Sequence, residues 1–250
     1  MCPSCLIVVP TYNEAENIAQ LLSQIHDALS TAHVLVVDDN SPDGTGRIVD
    51  TIASRDVRVH VMHRPAKLGL GTAYVAGYRW ALERDYEVLV QMDADFSHDP
   101  RYLPVMVDAL SVYDLVAGSR YVNGISVVNW KLGRLLISMG GSLYARVLTR
   151  VPLRDVTAGF LVFRRALMQR IPLARIRSNG YAFNIEMKFW AHRLGARILE
   201  HPIIYVDRRV GVSKMDRGIV AEAMLTPVRL WVAWLRHSRR SELADRPADG

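Results

Sequence analysis

The sequence predicts an α/β protein in which a mostly parallel sheet is flanked by helices. Five short apolar runs rich in β-branched residues are typical of strands, and helix-patterned stretches separate the first four of them. This alternation indicates consecutive strand–helix–strand units whose strands are buried on both faces. The chain has 250 residues, half of them hydrophobic, which supports a sizeable core and excludes a disordered or fibrous chain.

The first half of the chain carries the regular alternation. The predicted strands are Leu6–Val9, Val34–Val37, Arg58–Met62, Val88–Met92 and Leu115–Ala117. The predicted helices between the first four strands are Ala15–Leu29, Asp43–Ser54 and Thr72–Arg84. We expect Ser41 or Asp43 to cap the second helix and Pro100 to open a helix after Asp99, because these residue types favour helix starts.

The alternation stops near residue 120. We expect helices over Lys131–Arg150, Phe183–Leu194 and Gly218–His237, and an extended segment over Arg197–Val206. The polar residues 238–250 are expected to form a disordered tail. Since no linker separates the two halves, residues 1–237 are predicted to form one domain, with a nucleotide-type half over about 1–120 and a half over about 121–237 that shapes a second substrate site.

The charge balance indicates anionic partners. Lys and Arg number 31 against 25 Asp and Glu, giving a net charge of +6 and a pI near 9.5, which suits nucleic acid, phosphorylated metabolites or an acidic lipid surface. Cys2 and Cys5 are too few for a four-ligand zinc site and are expected to be free thiols. Without a secretory signal or an apolar run of ~18 residues, we expect an intracellular protein with no transmembrane segment.

Carboxylates follow three of the predicted strands. The first strand ends in Pro10-Thr11-Tyr12-Asn13-Glu14, the second in Asp38-Asp39-Asn40-Ser41 and the fourth in Asp93-Ala94-Asp95. Ligands of open parallel sheets bind beyond the carboxyl ends of the strands. Asp and Asn are also common turn and cap residues, but carboxylates gathered at one rim repel one another unless a cation or hydrogen-bond donors offset their charge. The pattern therefore favours a functional site.

Asp93 and Asp95 are the predicted metal ligands. Two carboxylates two positions apart at a strand end suit one hard divalent ion, Mg²⁺ or Mn²⁺, which usually keeps positions open for substrate phosphates. The segment Lys67-Leu68-Gly69-Leu70-Gly71-Thr72-Ala73 is similar to a dinucleotide-binding fingerprint, but it follows the third strand instead of the first. A dehydrogenase is therefore disfavoured, and Gly69 and Gly71 are expected to allow a close turn near a bound nucleotide.

Further segments belong with these motifs: Gly118-Ser119-Arg120-Tyr121, Gly180-Tyr181-Ala182-Phe183, Ile185-Glu186-Met187, and Arg208 with Ser213-Lys214. Together with the strand-end motifs and the 67–73 segment they resemble family 2 glycosyltransferases of the GT-A fold, and within that family the dolichyl- or polyprenyl-phosphate mannosyltransferases. The resemblance runs from about residue 6 to residue 216. It implies a Rossmann-like, mostly parallel sheet flanked by helices, with C-terminal helices on the acceptor side.

The resemblance also implies roles for individual residues. Those that would line the guanosine pocket are Pro10, Tyr12, Glu14, Val37 and Asp39, with Asp39 accepting hydrogen bonds from the base or ribose. Asp93 and Asp95 would bind the metal on the donor diphosphate, and Ala94 would touch the nucleotide. Those that would meet phosphates are Arg120, Arg134, Arg208 and Lys214.

Two positions depart from the family pattern. Ser97 stands where many relatives have Gln beside the metal, so water is expected to complete the coordination there. Leu161, in Thr157-Ala158-Gly159-Phe160-Leu161, replaces an Arg that relatives often carry.

The implied reaction is the metal-dependent, inverting transfer of mannose from GDP-mannose to a dolichyl or polyprenyl monophosphate. The second pKa of a phosphate monoester is about 6, so the acceptor is already an anion near neutral pH and no catalytic histidine is required. The predicted catalytic residues are Asp95, Arg120 and Arg134. If Lys131–Arg150 is helical, Arg134 and Ser138 are i, i+4 neighbours and would grip one phosphate together.

Two predicted helices are candidates for contact with lipid. The side of Lys131–Arg150 away from Arg134 carries Leu132, Leu135, Leu136, Met139 and Leu143, which face either the core or lipid. The Gly218–His237 helix places Trp beside Arg, which fits an interfacial helix as well as a core helix. We expect a peripheral protein on the cytoplasmic face of a membrane, with a membrane-embedded partner protein left open.

Three alternatives remain. The same fold using UDP-glucose on polyprenyl phosphate is the nearest one, since Asp39 does not distinguish guanine from uracil. A nucleic-acid-binding module would explain the basic charge, but no aromatic-studded basic run supports it, and we expect no nucleic-acid partner. A metal-free scaffold relative is disfavoured because Asp93 and Asp95 are both present.

Overall fold

A seven-stranded sheet is the centre of the computed structural model, which describes residues 4–206, 222 and 224–235. Its strands lie in the order β3-β2-β1-β4-β7-β5-β8. They are β1 (Cys5–Thr11), β2 (His33–Asp38), β3 (Val59–His63), β4 (Val88–Gln91), β5 (Leu115–Ser119), β7 (Leu161–Arg164) and β8 (Ile198–Pro202). A separate parallel pair is formed by β6 (Val127–Val128) and β9 (Tyr205–Val206). The predicted α/β class with a mostly parallel sheet is confirmed.

The five strands predicted for the first half are all present, each within two residues of its predicted bounds. The sequence did not predict β7, which lies antiparallel between β4 and β5. Because β7 and β8 come from the second half of the chain, the two halves share one sheet.

All the α-helices of the described residues except the one over Arg165–Arg170 lie where the sequence predicts a helix. The helices are α1 (Ile18–Ala28), α2 (Thr45–Ala53), α3 (Leu70–Leu82), α4 (Leu103–Asp108), α5 (Leu132–Thr149), α6 (Arg165–Arg170), α7 (Gly180–Arg193) and α8 (224–235). The N-cap of α2 is Gly44 and not Ser41 or Asp43, but the Asp43 side chain just before it accepts a hydrogen bond from the Thr45 N–H at 3.0 Å. Pro100 opens a short 3-10 turn after Asp99, as predicted.

The core has two layers, one on each face of the sheet. The first packs α1, α2 and α4 on residues such as Ile7 and Val36, and the second packs α3, α6 and α7 on residues such as Val8 and Leu35. A third cluster joins α5, α7 and α8 through Leu230 and its neighbours. Burial of both sheet faces explains why the strands read as continuous apolar runs.

Helix α5 is inverted relative to an ordinary surface helix. Its small and polar residues Ser142, Ala145 and Thr149 are buried, whereas most of its large apolar residues face solvent. The exposed ones are Leu132, Leu136, Ile137, Met139, Leu143 and Val147. On the neighbouring α8 the exposed ones are Met224, Leu225, Val228 and Trp231. We call this set the apolar helix surface.

Among the described residues, no helix combines the length and apolarity that are needed to cross a bilayer.

Candidate active site

Each turn that follows β1, β2 and β4 contains a residue in the left-handed backbone region. These residues are Asn13, Asn40 and Phe96, with φ values of 61, 56 and 60°. Asn adopts this conformation readily, but for a bulky residue such as Phe it is rare. Phe96 lies between Asp95 and Ser97, and its ring packs against the first core layer. The surrounding structure therefore imposes the conformation of the loop that carries the predicted metal ligands.

The Asp38 side chain stabilises the turn after β2. Its carboxylate accepts hydrogen bonds from the hydroxyl of Thr11 at 2.8 Å and from both the hydroxyl and the N–H of Ser41. These contacts tie the ends of β1 and β2 together. The role of Asp38 is therefore structural.

Asp39 faces the end of β3 instead. Its Oδ2 accepts hydrogen bonds from the N–H groups of Leu68 and Gly69, both at 3.1 Å. Its Oδ1 lies 3.1 Å from Nη1 of Arg64, but the angle is not that of a hydrogen bond, and this buried oxygen has no hydrogen-bond partner among the described residues. The role predicted for Asp39 toward a base or ribose stays a prediction.

Asp93 and Asp95 are held by contacts from α3 and from their own loop. Asp93 Oδ1 accepts a hydrogen bond from the Tyr74 hydroxyl at 2.8 Å, and its N–H donates to Nδ1 of His98 at 2.9 Å. Asp93 Oδ2 lies 3.9 Å from Nε2 of the same histidine. Asp95 is buried, and its Oδ1 accepts from the Ser97 N–H at 3.1 Å. Both carboxylates are thus positioned before any ligand binds.

Burial sets the protonation of the groups around this pair. It raises the pKa of the Tyr74 hydroxyl well above its usual value, and the charge of Asp93 adds to this effect. It lowers the pKa of His98, against the opposing charge of Asp93. Since the neutral ring accepts at Nδ1, its proton resides on Nε2. His98 therefore supports the backbone of the motif.

The donor set fits a divalent cation shared with a ligand. The described residues contain no group of three or more His, Cys, Asp or Glu side chains placed to bind a metal. Asp93 and Asp95 would therefore supply two ligands and leave the other positions to ligand oxygens and water. The Ser97 hydroxyl is buried nearby and lacks a hydrogen-bond partner within the described ranges, although the Tyr205 hydroxyl interacts with it without full hydrogen-bond geometry.

The glycine-containing segment 67–73 links the nucleotide half to α7. The Gly71 N–H donates to Oδ1 of Asn179 at 3.1 Å, and a Cβ at Gly71 would lie 2.2 Å from the carbonyl oxygen of Ser178. Gly69 has a φ of 100°. Both positions therefore require glycine, one for close approach and one for its backbone conformation.

Arg120, which was predicted to bind phosphate, forms a buried ion pair with Asp155. Its Nε and Nη2 donate to the two carboxylate oxygens of Asp155 at 2.6 and 2.7 Å, and Nη2 also donates to the Thr157 hydroxyl at 2.8 Å. Burial alone raises the pKa of Asp155, but the Arg120 charge and hydrogen bonds hold it below its ordinary value. That Arg120 also meets a phosphate stays a prediction.

Lys188 holds the same loop, residues 155–158. It is fully buried, and its Nζ donates to the carbonyl oxygens of Asp155, Val156 and Ala158 at 3.1, 3.1 and 2.6 Å. Burial lowers the pKa of Lys188 to about 8, although the charge of Asp155 opposes the shift. Arg120 and Lys188 thus clamp residues 155–158 from two sides.

A cavity of about 350 Å³ brings together three residues predicted to serve the acceptor: Arg120, Arg134 and Ser138. The Arg134 guanidinium lies 4.3 Å from the centre of the Trp130 ring. The Ser138 oxygen accepts a hydrogen bond from the Tyr121 hydroxyl at 2.8 Å, which leaves the Ser138 proton for another acceptor. These donors suit an anionic ligand, and the exposed part of the apolar helix surface begins at the cavity mouth with Ile137 and Met224.

The positions of the remaining predicted residues do not indicate what they bind. Pro10, Tyr12 and Glu14 are partly buried at the end of β1, and the Lys67 ammonium lies 4.2 Å above the Tyr12 ring. Val37 and Ala94 are buried in the core. Arg208 and Lys214 lie outside the described residues. A second cavity, of about 790 Å³, runs between α1 and the 95–102 loop, but Asp95 alone among the predicted site residues lines it.

Sequence reasoning missed several residues that hold the site. Arg64 directly follows β3 and donates to the Thr72 hydroxyl at 2.6 Å, so its position at a strand end was an available signal. Tyr74, Asp155 and Lys188 gave no such signal. Their partners lie 19 to 35 residues away along the chain, so only the fold brings them together.

The fold and the acidic pair at a strand end define a glycosyltransferase of the GT-A type. The chain belongs to glycosyl transferase family 2, whose profile matches residues 6–171. It is 50% identical over 228 residues to an undecaprenyl-phosphate mannosyltransferase of Micrococcus luteus, covering 91% of this chain and 94% of that one. It is 46% identical over 221 residues to a polyprenol monophosphomannose synthase of Mycolicibacterium smegmatis, covering 88% and 83%. The family predicted from the sequence motifs is confirmed.

Solved structures agree on the fold. A glucosyl-3-phosphoglycerate synthase of Mycobacterium tuberculosis, solved with phosphoglyceric acid, matches with a TM-score of 0.65 at 20% identity, covering 90% of this chain and 80% of that one. A mannosyltransferase of Pyrobaculum calidifontis, solved with GDP-Man and Mn²⁺, matches with a TM-score of 0.56 at 17% identity, covering 97% and 81%.

Proposed function

We propose that this protein transfers mannose from GDP-mannose to the phosphate of a polyprenyl or dolichyl monophosphate, giving polyprenyl phosphate mannose. The observation that carries the proposal is the cavity in which Arg134 and Ser138 meet beside an exposed apolar surface. Such a site offers donors to a phosphate and apolar contacts to its isoprenoid chain. The high identity to two proteins named for mannose transfer to polyprenols supports the same substrates.

The donor half would hold the nucleotide sugar at its nucleoside and at its diphosphate. Asp39 offers a buried acceptor to the base or ribose, and Asp93 and Asp95 offer two carboxylates to a cation, Mg²⁺ or Mn²⁺. When bound, the cation would neutralise charge on the leaving diphosphate. The contacts from Tyr74 and Ser97 hold the carboxylates in place, which reduces the cost of ordering them on binding.

The acceptor half would align a nucleophile that is already ionised. The phosphate monoester needs donors more than a base, and Arg134 and Ser138 supply them. Arg208 and Lys214 are expected to add cations toward the phosphates. The clamp of Arg120 and Lys188 on residues 155–158 would keep the wall of this cavity fixed while the sugar is transferred.

The apolar helix surface would place the protein on a membrane. An exposed apolar patch on two adjacent helices, with Lys131, Arg146 and Arg150 also exposed on or next to α5, is the pattern of a surface that enters the lipid interface. We propose peripheral attachment at the cytoplasmic face, and a membrane-embedded partner protein would cover the same surface.

The test is incubation of the purified protein with radiolabelled GDP-mannose, MnCl₂ and polyprenyl phosphate in detergent, followed by organic extraction. We expect label in the organic phase only when all three are present. Radiolabelled UDP-glucose in place of GDP-mannose tests the alternative donor. The melting temperature of the protein with GDP or with UDP, each with Mn²⁺, is an independent measurement, because a ligand that binds selectively raises the apparent stability. Label from UDP-glucose alone would contradict the proposal.

A further inference from the structure

Another cavity, which is strongly basic, shares no lining residue with the 350 Å³ cavity around Arg134 and Ser138, which we call the acceptor cavity. The basic cavity has a volume of about 530 Å³ and is formed by the segment 174–177, α7 and α8. Four arginines line it: Arg175, Arg177, Arg193 and Arg229. We call it the arginine pocket. No residue of the predicted donor or acceptor site lines it.

The charge of the arginine pocket is largely uncompensated. Its single acidic residue, Glu186, is buried and accepts hydrogen bonds from the Ser178 hydroxyl and from Arg229 at 2.5 and 3.1 Å. Among the described residues, Arg175 and Arg177 make no ion pair and no side-chain hydrogen bond, and both are exposed. The four arginines and Glu186 therefore give the lining a formal charge of +3.

Tryptophans complete the pocket. The indole N–H of Trp190 is buried and finds no acceptor within the described part of the chain. Trp234 lies under two guanidinium groups, 4.7 Å from that of Arg150 and 5.6 Å from that of Arg193. An oxyanion is the ligand that would satisfy the guanidinium groups of Arg175 and Arg177.

The position of the pocket indicates where that oxyanion comes from. Arg229 follows Leu225 by one helical turn on α8, and Leu225 and Val228 belong to the exposed apolar helix surface. A cationic pocket at the edge of an apolar surface matches the arrangement of a lipid, with its phosphate above its acyl chains. Tryptophan and arginine are the residues expected at that depth.

We propose that the arginine pocket binds the phosphate of an anionic phospholipid headgroup and so orients the protein on its membrane. The proposal rests on the membrane attachment proposed above but concerns a different ligand, a bilayer lipid that is not consumed in the reaction. Its consequence is that attachment depends on anionic lipid as well as on apolar contact.

The experiment measures co-sedimentation of the full chain with vesicles at physiological ionic strength. Vesicles of phosphatidylcholine alone are compared with vesicles that also contain phosphatidylglycerol. The test protein is Arg175→Gln/Arg177→Gln, and the matched control is Arg55→Gln/Arg79→Gln, which removes two exposed arginines from the nucleotide half. Removing two pocket charges should weaken binding to anionic vesicles about 30-fold, since each basic residue near such a surface contributes about 1 kcal/mol. The control should stay within about twofold of the unsubstituted protein.

Three results would overturn the proposal. Equal loss in both double variants would mean that only net charge matters. Equal binding of the unsubstituted protein to both kinds of vesicle would remove the role of anionic lipid. Full competition by soluble glycerol phosphate, without any preference between vesicles, would assign the pocket to a soluble phosphate.

A transfer assay separates this proposal from the proposed function. With polyprenyl phosphate dispersed in detergent, Arg175→Gln/Arg177→Gln should transfer mannose at the unsubstituted rate, because neither residue lines the donor or acceptor site. If the unsubstituted protein shows no transfer, the proposed function fails while the vesicle result still decides the arginine pocket.

Discussion

Adjacent residues of the same type do different work in this site. Asp38 and Asp39 lie side by side at the end of β2, yet their contacts differ. The carboxylate of Asp38 is saturated by Thr11 and Ser41, whereas Oδ1 of Asp39 lies 3.1 Å from Arg64 and has no hydrogen-bond partner among the described residues. Their position at a strand end does not distinguish the two residues, whereas their contacts do. The same distinction separates His98, which holds the backbone of Asp93, from the carboxylates that it supports.

Asp95→Asn should reduce transfer at least 100-fold and leave the melting temperature of the free protein within a few degrees, since removing one charged ligand from a two-carboxylate site removes most cation affinity but little packing. The measurements are transfer rate and the Mn²⁺-dependent stabilisation by GDP, and both should be lost together. The control is Asp99→Asn four residues on, whose carboxylate pairs with the exposed Arg101. Retention of the Mn²⁺ effect in Asp95→Asn would contradict the metal assignment.

Arg134→Ala should raise the KM for polyprenyl phosphate dispersed in detergent about tenfold or more, because it removes a charged donor to the acceptor phosphate. Binding of GDP, measured by thermal stabilisation, should not change. Arg146→Ala is the matched control, since this residue lies on the same helix but is exposed and does not line the acceptor cavity. Equal loss of GDP binding and of acceptor use would show that Arg134 does not act on the acceptor phosphate alone.

Lys188 predicts a pH effect on stability. Its folded pKa of about 8 lies below the ordinary value of 10.5, so between these values the unfolded chain binds a proton that the folded chain has released. The contribution of Lys188 to the free energy of unfolding should therefore rise with pH across that window, by at most about 1.4 kcal/mol per pH unit. Denaturant unfolding of the unsubstituted protein and of Lys188→Met between pH 8 and 9.5 checks this. Parallel curves for the two proteins would contradict it.

At the scale of elements, glycines decide how closely helices approach the sheet. A Cβ at Gly77 in α3 would lie 2.4 Å from Cγ1 of Val8 in β1. Gly77→Ala should therefore lower the free energy of unfolding by about 1–3 kcal/mol through overpacking. Gly140→Ala in α5, where no atom lies within 4 Å of the added Cβ, should be neutral or raise it by up to about 1 kcal/mol. Denaturant unfolding compares them, and similar values for both variants would exclude close approach as the cause.

The sequence predicted elements well where one local pattern governed them. Strands β1 to β5 followed from apolar runs, and because parallel strand ends share one edge, the acidic rim followed as well. Strand β7 did not, since its four residues carry no distinct period and its partner β4 lies about 70 residues away. The sequence identified the apolar side of α5. It left open whether that side faces the protein core or lipid, because both environments favour the same apolar residues.

At the scale of the whole molecule, the polar strand ends and the exposed apolar surface belong to different halves of the chain. The polar strand ends, with Asp39, Asp93 and Asp95, occupy the nucleotide half, and the apolar helix surface and the arginine pocket flank the acceptor half. The 350 Å³ cavity lies against the inner edge of that apolar surface. Because β7 and β8 complete the sheet of the first half, the two predicted substrate regions share one framework.

This division predicts that the apolar helix surface serves delivery of the lipid acceptor and not the chemical step. Leu136→Glu/Leu143→Glu places two charges on exposed positions of α5 that do not line the acceptor cavity. Vesicle binding and transfer to vesicle-embedded polyprenyl phosphate should fall at least tenfold, since a buried charge in the interface opposes insertion. Transfer to the same acceptor dispersed in detergent should stay within about twofold. Val57→Glu/Val112→Glu, at two exposed apolar positions away from α5 and α8, should change neither assay. If the detergent rate fell as much as the vesicle rate, α5 would be part of the reaction site and the separation of docking from chemistry would be wrong.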